Sequence, residues 1–264
     1  MRFNKWFFLL PVLAVNCQLG NATEILFPAS QVPTGKCSVV ALYSAGSEDL
    51  NLHVSSVDQI KVGTSGLGYT TNSSNDLTVS QRSSASGLRV LFNPNDGLYY
   101  WLKAGLINYD VEVPSVSVKD TLSSQDNGYF VGVGARSLLM PDTIVTPAFS
   151  VEGGVTYSDV AMGSLKQGDT SPVAVNDKIK ELEVQFAAII SKKIRKFEIY
   201  GGGKISRTYL TLINLSNPGS VSGYKDQPGA FFGARYYLQP RESLVLEASA
   251  FGDNLISIGW SLQF

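Results

Sequence analysis

Few residues in this chain have the types and spacing that chemistry needs. Its 264 residues hold one histidine, His53, and two cysteines, Cys17 and Cys37, so a Cys/His zinc site or a disulfide framework is out of reach. Carboxylate metal sites stay open. A general base could be His53, in Asn51-Leu52-His53-Val54, or a carboxylate pair such as Glu181 and Glu183. Gly201-Gly202-Gly203 before Lys204 resembles a phosphate loop but lacks the following Ser or Thr and the helix, and reads instead as a strand kink or a place of close packing. The largest ionisable set is Arg89, Lys103, Arg136, Lys204 and Arg235 against Glu152, Glu181, Glu183, Glu198 and Glu247. Equal numbers of the two signs suit mutual pairing in a confined space, since an unpaired buried charge is costly.

These side chains sit in segments that alternate with period two, the mark of strands. The pattern is clearest at the end, where Ile256, Ile258, Trp260, Leu262 and Phe264 are apolar and Ser257, Gly259, Ser261 and Gln263 lie between them. It recurs at Leu244–Ala250, Ala230–Leu238, Phe197–Ile205, Leu182–Ile190, Val145–Tyr157, Tyr129–Ala135, Leu98–Leu106 and Leu88–Phe92, with a weaker strand, diluted by glycine, near Val57–Thr70. The chain is therefore expected to be all-β with about ten strands, or eight as the alternative. In every strand the ten ionisable residues share the polar face.

Connections of three or four residues near Pro94–Gly97, Met140–Thr143, Lys193–Arg195 and Gln239–Glu242 alternate with gaps of about fifteen or more near 112–127, 160–178 and 214–228. Only Gly252-Asp253-Asn254 is short on the second side. An antiparallel up-and-down barrel gathers the short turns at one rim and the long loops at the other. Thr71–Ser86, Ser158–Asp177 and Asn214–Gln227 are rich in small and polar residues and read as loops.

Residues 1–22 read as a secretory signal: Arg2 and Lys5 precede the apolar run Trp6–Val15, and Gly20-Asn21-Ala22 offers small residues for cleavage before Thr23. The run is too short, and too interrupted by Pro11, for a spanning helix of about 20 residues. Lipidation at Cys17 would want a small residue where Asn16 stands.

A soluble barrel would alternate in the same way, with its apolar face inward. Here the polar face is crowded with glycine and serine (Gly105, Gly132, Gly134, Gly154, Gly202, Gly233, Gly259, Ser150, Ser206, Ser249), as suits a narrow interior. Tyr100, Phe197 and Phe264 fall toward the short-turn rim and Tyr129, Tyr157 and Tyr209 toward the loop rim, like interfacial girdles. Charged residues are only 16% against roughly a quarter in soluble proteins, and the net charge of −1 argues against a basic nucleic-acid binder.

Ser257-x-Gly259-x-x-Leu262-x-Phe264 matches, at all four specified positions, the C-terminal assembly signal of Gram-negative outer-membrane barrels. Over residues 57–264 the chain resembles the small barrels of the OmpA, OmpX and opacity-protein kind, without matching one family. The resemblance implies localisation to the outer membrane, contact with its lipid and lipopolysaccharide, and passage by periplasmic chaperones and the assembly machinery. Residues 23–56 lie outside it, as a periplasmic segment or an extra hairpin.

Barrel enzymes of this class use a histidine near the outer rim, whereas His53 precedes the confident strands and is expected at or below the periplasmic side. The expectation is thus a non-enzymatic barrel without cofactor, its lumen filled by paired charges, touching a surface ligand through its loops. A narrow pore for small solutes is the second reading and an enzyme acting on lipid or peptide the third.

Overall fold

A computed structural model describes Pro28 and residues 32–57, 76–114, 119–167, 170–214, 219–251 and 253–264. The expected signal segment 1–22, its cleavage point and most of the weak strand at 57–70 lie outside the described residues. Among the described residues eleven strands follow in order: β1 Cys37–Val57, β2 Asp76–Asn95, β3 Leu98–Pro114, β4 Lys119–Ser124, β5 Gly128–Met140, β6 Ala148–Gln167, β7 Val173–Ile194, β8 Phe197–Asn214, β9 Gly219–Gln239, β10 Glu242–Ala250 and β11 Asp253–Gln263. All pairings are antiparallel. Beginning at β1, hydrogen bonds run through β2, β3, β5, β6, β7, β8, β9, β10 and β11 and return to β1, closing a ring of ten strands.

The closing strand is β1. It pairs with β11 from Ser38–Gln263 to Glu48–Asp253 and with β2 from Cys37–Phe92 to His53–Asp76. The barrel therefore begins at Cys37, inside the segment 23–56 that was set apart from it. Its period was hidden because Val39, Val40, Ala41, Leu42 and Tyr43 are apolar on both faces: Val40 and Leu42 enter the core while Ala41 and Tyr43 face outward.

Two features of the wall change its width. The β10–β11 hairpin is short, and above its tip at Phe251 β1 pairs directly with β9, from His53–Tyr224 to Val57–Val221. The short β4 stands above β5, joining β3 to β6. On the loop side the ring thus runs β1-β2-β3-β4-β6-β7-β8-β9 and closes with eight strands. A ten-stranded barrel carries an eight-stranded collar. Pro228, which has no N–H to give, falls where β9 has left β10 and not yet met β1, an unpaired edge that tolerates it.

The outward face of the ten-stranded part is apolar and exposed, including Leu88, Val90, Leu102, Leu106, Val131, Val133, Phe186, Ile190, Ile205, Phe232, Leu246 and Ile258. Outward charge enters at the loop-side edge with Arg207 and Asp226, an exposed ion pair just below the Tyr209 and Tyr224 rings. On β8 this belt rises ten residue steps from Phe197 to its edge at Arg207, about 25 Å at 3.3 Å per residue and a 40° tilt, which matches a barrel's apolar band. The rims carry ring pairs: Phe197 with Tyr236, centroids 4.8 Å apart, at the turns, and Tyr129 with Tyr157 and Tyr209 with Tyr224, each 6.4 Å apart, on the loop side.

Above the belt the faces exchange character while the parity of each strand continues. On β7 the outward series passes from Leu182 to Lys180 and Lys178, and the inward one from Glu181 to the buried Ile179. On β3 Leu106 gives way outside to Asn108 and Asp110 while Ile107 and Val111 are buried inside, and on β6 Asp159 faces out beside buried Val160 and Met162. The collar is patterned like a water-soluble barrel. For that reason the gaps near 112–127, 160–178 and 214–228 are mostly strand: β6 and β7 are joined by residues 168–172, and β8 and β9 by 215–218. Thr71–Ser86 likewise lies in β2 from Asp76 onward. The β5–β6 connection differs in the other sense, running over residues 141–147 where four were expected.

Candidate functional site: the lumen

All ten ionisable residues singled out from the sequence face inward; Glu183 is half-buried and the other nine are buried. The geometry gathers three of them into one group. Arg89 Nη2 donates to Glu152 Oε1 at 2.6 Å, and Arg136, opposite Glu152 on the neighbouring strand, donates from Nε to Oε2 at 2.7 Å and again from Nη2. One carboxylate thus holds two guanidiniums. Arg89 also lies on the Trp101 ring, 4.5 Å from its centroid, and Lys103 lies near the same ring at 5.6 Å. Placing both cations against one aromatic ring offsets part of the repulsion between direct cross-strand neighbours.

The other carboxylates use tyrosines. Tyr109 Oη donates to Glu181 at 2.9 Å, Tyr200 Oη to Glu247 at 2.8 Å and Tyr237 Oη to Glu198 at 2.7 Å. Ser191 Oγ adds a bond to Glu198, and Gln81 Nε2 one to Glu181 at 3.4 Å. Glu198 and Arg235 are direct cross-strand partners, yet Arg235 donates to Ser243 Oγ at 2.7 Å and Ser261 Oγ at 3.1 Å. Lys204 and Glu183 complete the inward set. Beside the ion pairs around Glu152, tyrosine and serine hydroxyls thus also bond the inward charges. The signal for the tyrosines was present, since Tyr109, Tyr200 and Tyr237 have inward parity, but attention to ionised groups passed over them.

The polar face is glycine-rich because aromatic rings lie against it. A Cβ at Gly154 would come within 2.2 Å of Trp101, one at Gly134 within 2.3 Å of the same ring, and one at Gly233 within 2.2 Å of Tyr200. Gly202, in the run before Lys204, lies in the same kind of packing beside Phe231, inside β8.

At the turn-side mouth the chain ahead of β1 enters the lumen. Arg136 Nη1 donates to the carbonyl of Pro28 at 2.9 Å, and Val32 is buried with Leu91, Tyr99 and Trp101. Asn93 fastens this segment, donating from Nδ2 to Val32 O at 2.6 Å and accepting from Gly35 N at 2.7 Å. Nothing in the alternation pointed to it. On the loop side Lys225 Nζ bridges Glu48 at 3.1 Å and the carbonyl of Asp49 at 2.6 Å, beside the unpaired edge of β9.

His53 is placed contrary to expectation. It stands near the loop-side end of β1, level with Tyr224, and packs edge-on against that ring at 5.5 Å, because β1 rises from the turn rim sixteen residues before it. The four assembly-signal positions lie on β11 and just past it. Ser257 and Gly259 face in, Leu262 and Phe264 face out, and Phe264 N donates to Cys37 O at 2.9 Å, tying the last residue to the first of β1.

No protein-family model matches the chain, and no curated protein matches its sequence. Solved structures do. OmpT, the outer membrane protease of Escherichia coli, aligns over 89% of this chain and 100% of its own at 9% identity and a TM-score of 0.50. The translocator domain of autotransporter NalP from Neisseria meningitidis aligns over 89% and 91% at 9% identity and 0.45, and OprG from Pseudomonas aeruginosa over 88% and 96% at 9% and 0.43. A closed antiparallel ring with an apolar belt outside and charge within is an outer-membrane β-barrel of the Gram-negative kind. No particular family within that class is identified.

Proposed function

We propose that the protein is a non-catalytic outer-membrane barrel that makes surface contacts through its collar and the connections at the collar's tip. The observation that carries this reading is the filled interior. The N-terminal segment occupies the turn-side mouth, the network around Glu152 crosses the belt, and Ile107, Val111, Leu122, Val160, Met162, Leu165 and Ile179 pack the collar. A pore for polar solutes needs a wetted path, and apolar packing in an eight-stranded ring leaves little room for one. The catalytic reading would fall to His53, whose ring lies against Tyr224 on the outer face. The outer surface of the collar, with Asp110, Asp159, Lys178 and Lys180, remains for contact with a partner.

Two measurements test this reading. In a planar bilayer the protein is expected to show no steady conductance. Cells displaying it should bind a surface or neighbouring cells, and lose that binding when residues 168–172 and 215–218 are each replaced by Asn-Gly, with the heat-modifiable mobility of a folded barrel retained. A large steady conductance, or binding unaffected by the replacement, would overturn the proposal.

A further inference from the structure

The turn rim, opposite the proposed contact surface, carries a concentrated arrangement of its own. The β5–β6 connection displays two apolar side chains to the surroundings, Ile144 at 99% exposure and Val145 at 86%. It is nevertheless held in shape. Thr143 Oγ1 accepts from the amides of Val145 and Thr146, and Lys192 Nζ, on β7, reaches across to Asp142 at 2.9 Å and to the carbonyls of Thr143 and Ile144. An ordered turn that leaves two β-branched residues in the open presents them to something apolar.

The next turns round the ring are basic. The β7–β8 turn reads Lys192-Lys193-Ile194-Arg195-Lys196-Phe197 and the β9–β10 turn Gln239-Pro240-Arg241-Glu242, five cations against one carboxylate. Lys192 is bound to the β5–β6 turn and Lys193 lies over the Tyr237 ring at 4.1 Å, whereas the side chains of Arg195, Lys196 and Arg241 are exposed and have no ion-pair partner among the described residues. The two turns are neighbours, joined by the bond from Tyr237 N to Lys196 O at 2.8 Å. Just above them the belt begins with Ile194, Phe197 and Leu238, all exposed and outward.

We propose that this arc of the turn rim is a binding site for anionic phospholipid of the inner leaflet of the outer membrane, with Arg195, Lys196 and Arg241 on the headgroup phosphates and Ile144 and Val145 inserted among the acyl chains. Lipid is the occupant because the cations border the apolar belt, where headgroup phosphates must lie, and because apolar fingers beside unpaired cations form an interfacial anchor. The short turns of outer-membrane barrels face the periplasm, which assigns the leaflet. The site is independent of whatever the collar binds.

The test uses the mature full-length protein, delipidated in neutral detergent and titrated with phosphatidylglycerol or phosphatidylcholine, bound lipid being counted by native mass spectrometry. Phosphatidylglycerol should be preferred, and the preference should fall as salt rises. The triple variant Arg195→Gln, Lys196→Gln, Arg241→Gln should lose on the order of a hundredfold in that preference, at roughly fivefold per cation. Ile144→Ser with Val145→Ser should weaken both lipids alike, and Arg195→Lys with Arg241→Lys should retain the preference. Heat-modifiable mobility confirms that each variant is folded. Equal binding of the two lipids by the wild type, or a preference unchanged in the triple variant, would overturn the proposal, as would capture by peptidoglycan that depends on the three cations without any lipid preference.

Discussion

Replacing Glu152 by alanine removes the one carboxylate shared by Arg89 and Arg136, both of which are almost wholly buried. Three charge-assisted hydrogen bonds are lost together, two of them 2.6 and 2.7 Å long. Breaking a buried pair and leaving its partner uncompensated costs about 3–5 kcal/mol, and here two guanidiniums are left. Two features restrain the total: Glu247 also acts on Arg89 electrostatically, and Pro28 O still accepts from Arg136. A loss of about 3–5 kcal/mol overall is therefore expected, which at roughly 2–4 °C per kcal/mol lowers the unfolding midpoint by about 6–20 °C. The assay is conversion of the folded, fast-migrating band to the unfolded one after incubation at graded temperatures, supported by calorimetry. Adding Arg136→Ala to Glu152→Ala should cost less than the sum of the two single changes, because each removes the same contact. A midpoint within about 2 °C of wild type, or strict additivity, would show that water already solvates the group and that the lumen is open.

Other consequences can be measured on the same material. The mature chain is expected to keep Trp101 and Trp260 of its three tryptophans; Trp101 is 4% exposed in the lumen and Trp260 45% exposed on the belt, so brominated lipid should quench only the emission lost in Trp260→Phe. Ile179→Ala in the collar should cost about 2–5 kcal/mol, as in a soluble core, while its outward neighbour Lys178→Ala should change stability by less than about 0.5 kcal/mol. Gly154→Val, which drives a side chain into Trp101, should lower the unfolding midpoint or prevent folding, whereas Val155→Ala on the lipid face should be mild. Trimming Phe264 removes the amide bonded to Cys37 O and should reduce outer-membrane assembly while export across the inner membrane continues, as followed by fractionation.

The belt was legible because lipid and lumen impose opposite demands on alternate residues, so that Ile256, Ile258 and Trp260 stand out against Ser257 and Gly259. Two kinds of strand were not. At the start of β1, Val39 to Tyr43 is apolar on both faces, because Val40 and Leu42 join the core as Ala41 and Tyr43 meet lipid; without contrast there is no period. In the collar the contrast exists with its sign reversed, and a pattern that changes sign at Leu182 and Lys180 reads as a break. The lumen charges followed from parity alone. Their partners did not, since whether Glu198 takes a bond from Tyr237 or from Arg235 depends on side-chain reach that strand spacing cannot fix.

The step from ten strands to eight gives β1 two successive partners, β11 below and β9 above. Each corresponds to a different closed object. Zipping β1 onto β9 completes the eight-stranded ring with no help from the C-terminal hairpin, whereas the lower ring closes only when β10 and β11 are in place. The last two strands therefore act as a removable wedge in the wall, set between two edges that already know how to meet. If β1 and β9 meet first, the incoming hairpin must part them only at their lower ends, like a gusset sewn into a sleeve, and the final seam to form is the short run from Ser38–Gln263 to Glu48–Asp253 that ends at Phe264.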